Sequence, residues 1–123
     1  MTDVQPFTVD ITLQRLVMEA AANRDYALIH HDPEAAQASG ASAAFANTTF
    51  VETLLEASIR SWAGPAARIE TLEFEMIDFI RVGDTASTAG IVTAQAGDIA
   101  ELDLWIDTAH GRCVSAAARV RLL

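Results

Sequence analysis

The chain has 123 residues, 51% of them hydrophobic, which is enough for one folded core but leaves no room for a second domain (1–123 reads as one unit) and argues against disorder. Its net charge is −9 and all eight cations are arginine, so the basic stripe of a nucleic-acid binder is missing. No apolar run approaches the roughly 20 residues of a membrane span, residues 1–6 lack the pattern of a signal peptide, and the lone Cys113 allows no intrachain disulfide, which points to a reducing cytoplasm.

From Thr12 to Ala22, Leu13, Leu16, Val17, Ala20 and Ala21 recur at helical spacing, with Asp10 or Thr12 as the cap. Asp32-Pro33-Glu34 reads as a second helix start, stopped about two turns later by Gly40. The strongest helix spans about Asn47 to Ala63, with Thr49 and Glu52 at capping-box spacing and Val51, Leu54, Leu55, Ser58 and Trp62 along one side. Gly64-Pro65 ends it. The pattern then changes to period two: Leu102, Leu104 and Ile106 alternate with acids and Trp105, and Val114 to Leu122 alternate likewise. Turn signals at Gly83-Asp84, Gly97-Asp98 and His110-Gly111 divide this half into strands near 68–81, 85–96, 99–108 and 112–122. A helical first half and a four-stranded antiparallel meander give an α+β architecture, a long helix wrapped by a sheet, for which the hot-dog fold is the leading candidate.

The densest titratable cluster is residues 25–32, containing Asp25, Tyr26, His30, His31 and Asp32. On a continuous helix Asp25 and His30 would point about 140° apart. They converge only if the chain leaves the helix near Asn23. A carboxylate and an imidazole around one water would then suit proton transfer near neutral pH. The plainer reading makes Asp32 a helix cap and leaves the histidines solvated.

The cluster resembles the signature of the MaoC-like, R-specific enoyl-CoA hydratases, in which an aspartate is followed five residues later by a histidine and, two further on, by a small or acidic residue. Asp25, His30 and Asp32 occupy those positions, and residues 77–85 resemble the family's strand, Gly-Asp-Thr turn and strand. The resemblance runs from about Thr12 to Val92. It implies that Asp25 and His30 activate a water that adds to a trans-2-enoyl-CoA, with no cofactor beyond the substrate's own coenzyme A. It implies an oxyanion donor at the start of the long helix, where relatives carry a histidine and a glycine and this chain has Asn47-Thr48. Tyr26 is assigned to substrate binding on the same basis, and His31 and Asp32 to support of the loop.

Relatives usually place Asn-Pro where this chain has Ala27-Leu28, and a glycine where it has Arg24. Arg24-Asp25-Tyr26, His30-His31-Asp32 and Trp62-Ala63-Gly64-Pro65 resemble a subset from steroid side-chain degradation, which implies a bulky acyl group and unequal pairs of subunits. A homodimer or a heteromer with another hot-dog subunit is therefore expected, without nucleic acid or membrane. The rival readings are a non-catalytic subunit that completes a partner's pocket, and a hot-dog acyl-CoA thioesterase.

Other features read more simply. His30, His31, Asp32 and His110 lack the spacing of a metal site. Cys113 is a packing residue, and Ser58 and Ser61 lack nucleophile-elbow glycines. Trp105 is either a lone exposed aromatic or part of a subunit interface. Arg112, Arg119 and Arg121 are either solvated strand ends or a patch for the phosphates of coenzyme A, which an acidic chain otherwise handles poorly.

Overall fold

In the computed structural model, which describes residues 3–123, the second half forms the expected strands. These are β2 (Arg68–Met76), β3 (Thr85–Ala96), β4 (Ile99–Thr108) and β5 (Gly111–Arg121). The first half begins with a further strand, β1 (Asp3–Asp10), followed by α1 (Leu13–Ala22), a 3₁₀ turn (Leu28–His30), α2 (Pro33–Ala38) and α3 (Thr48–Ala63).

The alternation in β4 and β5 separates two faces as read. Leu102, Leu104, Ile106, Val114 and Val120 are buried, while Glu101 and Asp103 are exposed. Against the buried face lies α3, which contributes Val51, Leu55 and Ile59, all fully buried. Each such side chain adds roughly 1.5–3 kcal/mol by leaving water. At Gly90 of β3 a Cβ would sit 2.6 Å from the Asp103 carbonyl and from Leu104 Cδ2, so only glycine lets β3 and β4 approach there.

Two expectations about the sheet are corrected. Its order is β1-β3-β4-β5-β2, all neighbours antiparallel, so β3-β4-β5 is a meander but β2 lies on the far side of β5. The first predicted strand stops at Met76 rather than 81, because residues 77–84 must cross from one edge of the sheet towards the other. The first half is also not wholly helical. β1 pairs with β3 but shifts register between Val4 and Phe7, around Pro6. Proline is confined to edge strands and bulges, and this break hid the period-two signal.

The helix ends follow from their side chains. Thr12 Oγ1 accepts from Arg15 N at 3.1 Å, and Asp32 Oδ1 from Glu34 N at 3.0 Å. For α3 the expected capping box is replaced by Asn47, whose Oδ1 accepts from Phe50 N at 2.8 Å. Thr49 lies inside the helix and donates to the same oxygen at 3.0 Å. Among the described residues no helix is long and apolar enough to cross a membrane.

Candidate active site

The segment between α1 and α3 carries the site, and a second, small core fixes it. Ala36, Ala41 and Phe45 are buried together, with Ile29 and Phe79 packed on them. Backbone bonds from Ala46 N to the Ile80 carbonyl and from Val82 N to the Ala44 carbonyl, both 2.8 Å, bind residues 44–46 to the crossing segment. The Gly-Asp-Thr turn is tied in as well: Ile11 N donates to the Asp84 carbonyl and Gly83 N to the Ile11 carbonyl, each at 2.8 Å.

The chain leaves α1 where convergence of Asp25 and His30 requires it. Asp25 N donates to the Ala20 carbonyl at 2.9 Å and Arg24 N to the Ala21 carbonyl at 3.2 Å, the bond pair of a Schellman motif. The left-handed residue of that motif is Arg24, with φ 54°, a conformation glycine adopts freely and other residues rarely. This turn swings Asp25 out of the helical path, and the 3₁₀ turn returns His30 to it. His30 Nε2 and Asp25 Oδ2 are 3.5 Å apart.

Each member of the pair is anchored by a second contact. His30 Nδ1 lies 3.0 Å from the Phe45 carbonyl, which can only accept, so Nδ1 carries the proton and the Nε2 lone pair faces Asp25 when the ring is neutral. The Phe45 ring meets the imidazole edge-on at 5.1 Å. Asp25 Oδ1 accepts from Ala27 N at 3.2 Å, and Oδ2 accepts from Asn47 Nδ2 at 3.0 Å. The Asn47 amide and the Ala27 N–H, with smaller help from His30 and His31, hold the Asp25 carboxyl below the usual carboxylate range against the opposing effect of burial. When the His30 ring is neutral, two acceptors thus lie side by side, an arrangement that a single water can bridge by donating to both.

The remaining candidate residues are distributed unequally. Both polar atoms of the Asn47 side chain are engaged within the protein, on α3 and on Asp25, a link nothing in the spacing revealed. Thr48 is exposed, turns its hydroxyl towards Met76 Sδ at 3.8 Å, and occupies the first turn of α3, where a helix gives a backbone N–H no internal partner. Tyr26 is 77% exposed. His31 is half-buried, and Asp32 caps α2. Phe45, which holds His30, lines a cavity of about 190 Å³ with Met76, Ile77, Asp78 and Phe79, though neither Asp25 nor His30 lines it. A larger cleft of about 840 Å³, between α3 and β2, contains neither Asp25 nor His30.

The arginines near the end of the chain do not form an open phosphate patch. Arg112 bonds Asp107 at 2.7 Å and covers the Trp105 ring at 4.8 Å. Arg119 pairs with Glu70 and Glu101, and Arg121 with Glu70 and Asp98, at 3.2–3.4 Å. Their carboxylate partners come from other strands and turns, so the sequence could not display the neutralisation. Trp105 is half-buried under Arg112 rather than a lone exposed aromatic, and Cys113 is fully buried.

An α+β chain with one long helix against an antiparallel sheet of this order has the hot-dog fold, and solved structures agree. A chain of the ChsH1-ChsH2 complex from Mycobacterium tuberculosis superposes with a TM-score of 0.95 over 99% of this chain and 96% of that one, at 24% identity. The (R)-hydratase from A. caviae involved in PHA biosynthesis gives 0.90 over 99% and 95%, at 20% identity. Identities this low establish the fold alone. No family model matches the chain. In sequence, 79 residues are 33% identical to the 3-oxo-4,17-pregnadiene-20-carboxyl-CoA hydratase beta subunit of Mycobacterium tuberculosis, and they cover 64% of this chain. The matched stretch spans 61% of that relative. The resemblance to hydratases read from the sequence is thus met again in a curated hydratase subunit, and the hot-dog fold it implies in the structural neighbours.

Proposed function

We propose that the protein hydrates a trans-2-enoyl-CoA to a 3-hydroxyacyl-CoA, or runs the reverse dehydration, at Asp25 and His30. The observation that carries this reading is the pair itself: two acceptors 3.5 Å apart, with the far nitrogen of the imidazole committed to the Phe45 carbonyl. A water bridging the two gives up a proton as its oxygen bonds to C3. The C2=C3 electrons move towards the thioester, and a proton returned by the same pair completes C2. Charge gathers on the thioester oxygen during this step, and the Thr48 backbone N–H at the helix terminus is suited to receive it. No cofactor is required, because coenzyme A arrives with the substrate.

The site is best understood as one half of an assembly. A cavity of about 190 Å³ is below the roughly 300–1,000 Å³ of ordinary small-molecule sites. Leu13, Val17 and Met18 of α1, with Tyr26 and Leu28 after it, are left exposed. Arg112, Arg119 and Arg121 are all neutralised in place, so the phosphates of coenzyme A need cations from elsewhere. A second hot-dog subunit, identical or different, supplies the missing wall. The named substrate of the curated relative supports a bulky, steroid-like acyl group, and both it and the ChsH1-ChsH2 complex support an unequal partner.

The test is loss of enoyl-thioester absorbance, with the chain alone and with its copurified partner. Asp25→Asn and His30→Ala are each expected to lower the rate by about 10²–10⁴-fold, the usual worth of a general acid–base group. Activity that needs the partner and survives both substitutions would make the chain a non-catalytic subunit instead. Release of free thiol from a saturated acyl-CoA would make it a thioesterase.

A further inference from the structure

The bond between Asn47 and Asp25 joins the start of α3 to a loop 22 residues earlier. Asn47 is 5% exposed and its amide is fixed from both ends. Oδ1 is held by Phe50 N at 2.8 Å and Thr49 Oγ1 at 3.0 Å, which leaves Nδ2 only one direction to point, towards Asp25 Oδ2. Those two bonds also fix the amide's orientation, since Oδ1 must be the acceptor for Phe50 N. The loop itself offers Asp25 no side-chain donor of this kind, because Ala27 contributes only its backbone N–H.

We propose that Asn47 is a positioning residue for the hydration, using the rigid N-terminus of α3 to hold the Asp25 carboxylate facing His30. The inference rests on the hydratase reading for its consequence in catalysis, but not for the clamp itself. One side chain thereby performs two tasks, closing the helix with its oxygen and orienting the carboxylate with its nitrogen. The same bond is the largest of the influences that favour the ionised form of Asp25, ahead of Ala27, His30 and His31.

The two tasks separate by substitution in the full chain. Asn47→Ser keeps a good cap oxygen but loses the donor that reaches Asp25, and Asn47→Asp keeps the cap while setting a second carboxyl against Asp25. With trans-2-butenoyl-CoA, Asn47→Ser is expected to lower kcat by roughly ten- to a hundredfold, the worth of one hydrogen bond to a charged group, with KM nearly unchanged. The acid limb of the pH profile should move upward, further in Asn47→Asp, and the Asp25 carboxyl carbon should titrate higher by NMR. Wild-type kcat, pH profile and Asp25 titration in both variants would overturn the clamp, whatever their Tm. The NMR titration needs no turnover. A protein inert towards enoyl thioesters would therefore refute the hydratase reading, while the titration would still decide the role of Asn47.

Discussion

The sheet and α3 on one side, and residues 23–47 on the other, are stabilised by different physics. The first region is held by contiguous apolar burial, with Leu55, Ile59, Leu102 and Ile106 all but inaccessible to water. The second is held by a small core of Ala36, Ala41 and Phe45 and by directed bonds: His30 to the Phe45 carbonyl, Asp25 to Ala27 and Asn47, Asp32 to Glu34. Burial is non-directional, whereas a hydrogen bond weakens steeply once donor and acceptor lose their alignment. The fold supplies stability, and the loop supplies geometry.

Three substitutions or conditions probe that division. The largest expected effect is Leu55→Ala, which opens a cavity under the sheet and should cost about 2–5 kcal/mol in denaturant unfolding. Activity measured well below Tm should persist, and its disappearance in a still-folded protein would mean the two regions are not separable. Next is Arg24→Gly, which relieves the left-handed backbone at φ 54° and should stabilise by about 1 kcal/mol. A Tm that stays level or falls would show that the Arg24 side chain supplies a compensating contact. The smallest effect is the pH dependence carried by Asp25. Its folded pKa is lowered, so its contribution is full above the ordinary carboxylate range and is lost as pH falls through that range to the folded value. The stability difference between wild type and Asp25→Asn should therefore shrink on going from about pH 6 to about pH 3. A difference that stays constant would mean that the carboxyl gains nothing from its partners.

The same division governs what the sequence displayed. Leu102-Leu104-Ile106 could be read because one face of β4 is buried along its whole length, and a one-residue slip would expose all three. The Asp25–His30 convergence could be read only as a condition, that the chain leave α1 near Asn23, and the Schellman turn at Arg24 meets it. β1 was hidden by Pro6 and the register shift around it. The place of β2 beyond β5 is a non-local pairing that no period encodes. Asn47 looked like a substrate contact because its neighbour in space, Asp25, is distant in sequence, and Arg119 and Arg121 looked free for the same reason.

The strand order has a consequence in time. β3, β4 and β5 are joined by tight turns and pair with their sequence neighbours, so this part of the sheet can zip locally. β1 and β2 are its outer strands, and Asp25, His30, Phe45 and Asn47 all lie in the long excursion between them. The loop-closure entropy of that excursion is charged before any acid–base pair exists. A newly made chain can thus own most of its sheet while still lacking its chemistry, and competence arrives with the last closure.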